Sequence, residues 1–375
     1  MWIQRFYELQ GEFLRKGKVN MLYGPRRSGK SSLIKRLLEN SSERVYHGCG
    51  DDIQLQMLLN SQDKTRILTA MQDYQVIFID EAQQIRNIGW SLKILVDNLP
   101  DTLIIATGSS SFRLSSNVGE PLTGRNQSNQ LYPISILELK HEFGGMHIYE
   151  NLENYLIYGT YPEVLVSGGR ESKIDYLMQL MNSYLLKDVL ELEQIRNSNQ
   201  LFNLLKVLAY QIGKDVSYNE LSNSLEISKH TVNRYLDILE KAFVIKRVGA
   251  YTTNLRKEIT KSGRYYFLDN GIRNALINNF NLLDQRNDIG MLWENFMVME
   301  RFKKQHYKKI YCNNYFWRTY DKKEVDLVEE REGKLFGFEF KWRNKKQKLQ
   351  KAFLEKYPNA TLSVIHNENF LEFVS

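Results

Sequence analysis

The stretch from Lys18 to Leu38 constrains the fold more than any other part of this 375-residue chain. Lys18-Val19-Asn20-Met21-Leu22-Tyr23 has strand composition, and Gly24-Pro25-Arg26-Arg27-Ser28-Gly29-Lys30-Ser31 fits GxxxxGK[ST]. Behind it, Ser32-Leu33-Ile34-Lys35-Arg36-Leu37-Leu38 has helical spacing. Strand, glycine-rich loop and helix in that order is the context of a phosphate-binding loop. The glycines let backbone N–H groups curl around β- and γ-phosphates at the positive end of the helix. The cradle is expected to comprise Gly24, Pro25, Arg26, Arg27, Ser28, Gly29, Lys30, Ser31 and Ser32. Lys30 would place its ammonium on the phosphates and Ser31 would ligate Mg²⁺. ATP and Mg²⁺ are the expected cofactors.

Val76-Ile77-Phe78-Ile79-Asp80-Glu81 supplies the second half of the site. An apolar run ending in acids suggests a buried parallel strand with carboxylates at its C-terminal edge, where open α/β sheets collect ligands. Asp80 is expected to hold Mg²⁺ through water, and Glu81 to polarise an attacking water. The plainer alternative is that both acids cap the next helix. Leu103-Ile104-Ile105-Ala106 suggests another buried strand, ending in Thr107-Gly108-Ser109-Ser110-Ser111. Thr107 and Ser109 are candidate sensors of the γ-phosphate, or else turn residues. Gly124-Arg125 lies just before the strand-like Leu131-Tyr132-Pro133-Ile134. Arg125 is either an arginine finger for a neighbouring subunit in a homo-oligomer or one half of a surface salt bridge.

From Glu150 to Ile195 apolar residues recur at helical spacing, interrupted at Gly159-Thr160-Tyr161-Pro162. Leu201, Leu204, Leu205 and Leu208 then form an amphipathic stripe stopped at Gly213. Ser217-Tyr218-Asn219-Glu220 is a capping box for a short helix through Leu225. Ser228 caps a longer helix with Val232, Leu236 and Leu239 inward. Val244–Val248 and Tyr265–Leu268 would form the wing of a winged helix-turn-helix. Lys229, His230, Asn233 and Arg234 face outward and suit DNA phosphates and base edges, with Arg256, Lys257, Lys261 and Arg264 charging the wing. The competing reading is a winged helix used only for packing.

Toward the C-terminus, Asp326 and Glu339-Phe340-Lys341 have the spacing of a metal-dependent nuclease. If Glu332-Gly333 forms the turn, Asp326 faces Glu339 across a hairpin, and Val325, Leu327, Phe338, Phe340 and Trp342 share the opposite, apolar face. Opposed carboxylates destabilise a sheet unless a cation lies between them. Mg²⁺ on Asp326 and Glu339, with Glu294 as a third ligand and Lys341 acting on the attacking water, would resolve the repulsion. The alternative is a solvated edge hairpin neutralised by Lys341.

Composition narrows the setting. Hydrophobic residues are 42% and charged residues 25%, the ordinary globular balance. Apolar runs stay at strand length, well short of the about 18 residues a membrane helix needs. Gln4, Arg5 and Glu8 interrupt the N-terminal apolar residues, so no signal-peptide core is expected. Two cysteines and six scattered histidines give neither a disulfide framework nor a zinc site, so a cytoplasmic setting is expected. The net charge of +7 is compatible with a nucleic-acid partner. Lys303, Lys304, Lys308 and Lys309, then Arg343, Lys345, Lys346, Lys348 and Lys351, concentrate it near the C-terminus, on a basic surface or on an ordinary solvated helix face.

Taken in order, these pieces resemble the bacterial and archaeal AAA-type ATPases that carry a C-terminal domain of unknown function. The resemblance rests on Gly24–Ser31, Ile79-Asp80-Glu81-Ala82-Gln83, Thr107-Gly108-Ser109, Gly124-Arg125 and Pro133 with Glu138. It continues through Gly159-Thr160-Tyr161-Pro162-Glu163, Phe267-Leu268-Asp269-Asn270-Gly271, Trp293-Glu294-Asn295 and the Asp326/Glu339-Phe340-Lys341 set. It implies ATP binding, hydrolysis and a C-terminal winged helix joined to a PD-(D/E)xK nuclease-like α+β fold. The expected division is an α/β P-loop NTPase domain at 1–140, a helical connector at 141–198, a winged helix at 199–275 and a nuclease-like domain at 276–375. Two functions stay open: an ATPase acting on double-stranded DNA, or an ATP-gated signalling or scaffold protein whose nuclease-like domain does not cut.

Overall fold

The computed structural model describes residues 1–10, 13–39, 41–109, 121–182, 198–252, 263–319, 321, 323–344 and 351–375. They fall into two compact units, one formed by Trp2–Pro133 and the other by Ile134–Glu240 with Val244–Ser375.

The first unit is built on β1 (Val19–Tyr23), β2 (Val45–Cys49), β3 (Val76–Asp80), β4 (Leu103–Gly108) and β5 (Asn126–Gln130). Their order is β2-β3-β4-β1-β5 and every pairing is parallel. Parallel strands need both faces covered, and the apolar runs of β3 and β4 meet that need. Ile77, Ile79, Ile104 and Ala106 are fully buried with Leu92 and Leu95 of the helix Ile88–Asn98. Cutting such an isoleucine back to alanine costs about 2–5 kcal/mol. Asp52 and Asp63 cap the helices Ile53–Asn60 and Lys64–Met71 by accepting from backbone N–H groups. One element is displaced from expectation. The strand beside β1 is the polar Asn126–Gln130, not Leu131–Ile134. As an edge strand it has fewer apolar neighbours to satisfy, so its composition hid it.

The second unit holds β6 (Ile245–Ala250), β7 (Arg264–Phe267), β8 (Asn313–Arg318), β9 (Glu324–Arg331), β10 (Lys334–Phe340) and β11 (Thr361–Ile365). They form one sheet in the order β11-β10-β9-β8-β6-β7. The hairpin expected to be a wing therefore continues the C-terminal sheet, through β6 parallel to β8. The boundary expected at 275/276 does not separate compact units. Before the sheet come the helices Ser198–Tyr210, Tyr218–Ser224 and Lys229–Lys241, the second capped by Ser217. Ahead of them runs Ile136–Tyr158, opened by the Ser135/Glu138 capping box and kinked at Gly144, where φ is +82°.

Several motif residues act as staples of this unit. Asp269 accepts from the N–H groups of Thr160 (2.7 Å) and Gly271 (2.8 Å). Asn295 accepts from Phe267 N (2.7 Å) and donates to Phe267 O (2.9 Å) and Asn270 Oδ1 (2.8 Å). Lys303 is no part of a basic surface: it is buried and donates to Glu300 (2.6 Å) and Thr160 Oγ1 (3.2 Å). Unpaired, such groups would carry a heavy desolvation cost, so these bonds specify how the segments meet.

The β9–β10 hairpin has the expected register from Lys334↔Arg331 to Phe338↔Leu327. Beyond that point a β-bulge shifts the pairing of β8 with β9 between Tyr315↔Val328 and Trp317↔Val325. The expected apolar face is therefore broken up. Val325 joins Val328, Trp317 and Phe353, whereas Phe338 and Phe340 meet Phe373, and Trp342 meets Trp293. β9 is also a central strand, buried from Val325 to Glu329, which removes the solvated edge alternative.

Candidate functional site

At the C-terminal edge of the first sheet, β1 hands the chain to the loop 24–29 and the helix Lys30–Leu38. Gly24 has φ +152°, and a Cβ there would strike the Leu131 carbonyl oxygen. Gly29 caps the helix with φ +95°, a left-handed conformation that glycine adopts at least cost. Lys30 is buried and donates to the carbonyls of Gly24 (3.0 Å) and Pro25 (2.9 Å), which holds its ammonium inside the loop. The Ser28 hydroxyl is also buried in the loop, without a hydrogen-bond partner among the described residues. Arg27 and Ser32 are exposed and Arg26 is half-buried.

The carboxylates arrive from β3. Ser31 Oγ donates to Asp80 Oδ1 (2.8 Å), and Thr107 Oγ1, from the end of β4, donates to the same oxygen. Loop lysine, serine, acid and strand-end threonine thus meet at one edge. Their donor set is all oxygen around Asp80, which fits Mg²⁺. The orphaned Ser28 hydroxyl and the loop backbone fit an anion. Glu81 sits next to them with φ +48°, a strained conformation for a non-glycine residue. Its N–H donates to Thr107 Oγ1 (3.2 Å), and its carboxylate accepts from the Gln83 amide. That amide also donates to Ser109 Oγ (3.1 Å). The alternative in which Asp80 and Glu81 cap a helix is not what their side chains do.

Two residues here escaped the sequence reading. Arg5 is buried and donates to Ser28 O (2.6 Å) and Tyr132 O (2.7 Å), bracing the loop from behind. Nothing near it in sequence signals that. Gln83 carried a signal, its place two residues after Glu81, but no role. Arg125 stands at the opposite edge of the sheet from its own loop, since its carbonyl accepts from Val19 N (2.9 Å) where β1 begins. It pairs with Asp97 at 2.5 Å on the surface, so its side chain serves no phosphate held by its own chain.

The expected nuclease residues lie in the second unit, and so does a cation. Arg264, expected on the surface of the wing, is buried. Its guanidinium reaches Glu324 (2.6 Å), Asp215 (3.1 Å), Glu294 (3.7 Å) and Asp326 (3.8 Å). Asp326 accepts from Phe340 N (2.8 Å) and lies 3.9 Å from Lys341 Nζ. Glu339 is buried on β10. Among the described residues no group of three or more His, Cys, Asp or Glu is arranged to hold a metal ion. The set Asp326, Glu339 and Glu294 is therefore not assembled as expected, and the Arg264 guanidinium stands between Glu294 and Asp326. Burial, with Asp326 next to it, pushes the Glu294 carboxyl up to about 8.

On the helix Lys229–Lys241, Val232, Leu236 and Leu239 are buried, and Lys229, His230, Asn233 and Arg234 are exposed. His230, Asn233 and Arg234 line one polar cleft of about 530 Å³ together with Tyr218, Arg247 and Tyr265. Asp237 and Glu240 line it too. Arg256, Lys257, Lys261, Lys345, Lys346 and Lys348 lie outside the described residues, as do Ser110 and Ser111. No helix among the described residues is long and apolar enough to cross a membrane.

Comparison with known proteins agrees with the first unit. Residues 16–140 match the AAA domain family, residues 149–283 a domain of unknown function (DUF8612) and residues 289–373 a domain of unknown function (DUF4143). An uncharacterized protein of Mycobacterium tuberculosis is 27% identical over 338 residues, 88% of this chain and 71% of that protein. One from Methanocaldococcus jannaschii is 23% identical over 385 residues, 96% of this chain and 84% of its own. Among solved structures, the Thermotoga maritima RuvB Holliday junction branch migration motor is 21% identical over 64% of this chain and 84% of its own, with a TM-score of 0.30. The chain thus carries an AAA domain match ahead of a C-terminal match to DUF4143.

Proposed function

We propose that this chain hydrolyses ATP with Mg²⁺ at the edge of its first sheet and couples turnover to DNA bound by its second unit. The observation that carries the reading is the convergence of Lys30, Ser31, Asp80, Thr107 and Glu81 from three separate segments. Lys30 and the loop N–H groups would bind the β- and γ-phosphates. Ser31 and Asp80 would hold Mg²⁺, which supplies charge neutralisation on the phosphates. Glu81 would polarise a water whose oxygen bonds the γ-phosphorus as the bond to the β–γ bridging oxygen breaks, and would take up its proton. In the arrangement described, the Gln83 amide holds the Glu81 carboxylate, so release of that bond accompanies the attack. Arg125 would complete the phosphate site of a neighbouring copy, in exchange for Asp97.

DNA would meet Lys229, His230, Asn233 and Arg234 on a winged helix, and binding should weaken steeply with salt. Replacing Lys229 and Arg234 together should lower affinity and flatten the salt slope. ATP turnover with and without duplex DNA tests the coupling, and turnover indifferent to DNA would speak against it. A second reading, an ATP-gated scaffold with a nuclease-like domain that does not cut, gains support from Arg264 among the nuclease carboxylates.

A further inference from the structure

The acidic cluster of the second unit is built from three segments. Asp215 precedes the helix Tyr218–Ser224, Glu294 lies on the helix Ile289–Tyr307, and Glu324 and Asp326 stand on β9. Arg264 opens β7 and reaches into their midst with a side chain only 3% exposed. Its face lies 4.5 Å from the Phe316 ring centroid, which fixes the plane of the fork. One nitrogen, Nη1, stands between Glu294 (3.7 Å) and Asp326 (3.8 Å), where an ion bridging those two carboxylates would sit. The other nitrogens are taken up by Glu324 and Asp215.

We propose that Arg264 is the resident cation of this cluster, so that the second unit neither binds Mg²⁺ or Mn²⁺ there nor cleaves phosphodiesters. Three arguments carry it. A guanidinium cannot lose its charge in a protein, so a dication entering the cluster would meet a fixed positive charge. Mg²⁺ also demands near-octahedral oxygen ligands at about 2.1 Å, whereas Glu324 and Asp215 already accept Arg264 N–H groups, Asp326 accepts from Phe340 N and Glu294 from the Tyr266 hydroxyl. Lastly, the charge around Arg264 is nearly closed without a metal. Arg318 pairs with Asp215 at 2.5 Å, Lys341 stands beside Asp326, and the Tyr266 hydroxyl bonds Glu294 at 2.8 Å. Asp215, Glu324 and Asp326 thus face Arg264, Arg318 and Lys341, while Glu294 accepts from the Tyr266 hydroxyl. The cluster is then a clamp fastening β7 to β9 and to the helix behind them.

Mn²⁺ binding to the full-length chain without nucleotide tests this apart from ATP hydrolysis. The background is Asp80→Asn, which removes the metal carboxylate of the first unit. Melting temperature and bound Mn²⁺ per chain, the latter by electron paramagnetic resonance, are the readouts. The expected result is no tight Mn²⁺ and no thermal shift. Removing the resident cation by Arg264→Gln should lower the melting temperature and make it responsive to Mn²⁺. A Mn²⁺ ion bound in the Asp80→Asn chain and lost in Asp80→Asn/Glu294→Gln, an isosteric change, would overturn the proposal. So would Mn²⁺-dependent nicking of plasmid DNA that Asp326→Asn abolishes.

Discussion

Each sheet brings carboxylates and a buried cation to one site, and the two sites partner them in opposite ways. At the edge of the first sheet, Asp80 is met by two hydroxyls, Ser31 and Thr107, while Lys30 is held aside by loop carbonyls. Neutral donors leave a carboxylate its full charge, available to a metal and its phosphates. In the second sheet, Glu324, Asp215, Glu294 and Asp326 are met by Arg264 itself. A charge already paired with a permanent cation has little left to offer a metal. Acidic residues at motif spacing therefore do not decide metal binding. Their partners do.

The comparison is most easily broken at Glu81. Glu81→Gln should leave ATP affinity unchanged and lower turnover by about 10²–10⁴-fold, the usual worth of a general base. Equal turnover would remove the role given to Glu81. Lys30→Ala should next weaken ATP binding on the order of a hundredfold, since it removes a charged hydrogen-bond donor from the cradle. A nucleotide titration checks it. A smaller effect, within about tenfold in kcat, is expected for Gln83→Ala, which frees the Glu81 carboxylate. KM should stay put, whereas a merely structural Gln83 would move KM and kcat together.

The smallest effect concerns the second unit. Burial raises the Glu294 carboxyl to about 8, so the folded chain keeps a proton that the unfolded chain has lost. Its contribution is fully present below the unfolded pKa and is lost as pH rises through about 8. Arg264, Tyr266, Glu324 and Asp326 all face this group. Glu294→Gln should accordingly flatten the fall in melting temperature between pH 5 and 8. An unchanged slope would mean that Glu294 is ionised throughout and the charge count around Arg264 is different.

Much of the first site was legible because its chemistry is local in sequence. Gly24–Ser31 is one loop with the first residues of its helix, and Asp80-Glu81 stands at the end of its own strand. Arg5 and Gln83 were not legible as functional, because each acts through a contact that only the folded chain creates. The hairpin register followed from the Glu332-Gly333 turn as far as Phe338↔Leu327. A bulge then redirected Val325, and a one-residue shift changes which face a side chain takes. Arg264 was misplaced for a related reason. As a basic residue in a wing it looked solvated, and its four acidic neighbours are separated from it by 30 residues or more in sequence.

Phosphate release by the purified chain, with Mg²⁺ and with or without duplex DNA, tests the central claim most directly. The account predicts steady release that duplex DNA increases and that Glu81→Gln abolishes while the variant still binds ATP. Release by Glu81→Gln at the parent rate, or none from a parent chain that binds ATP, would contradict it.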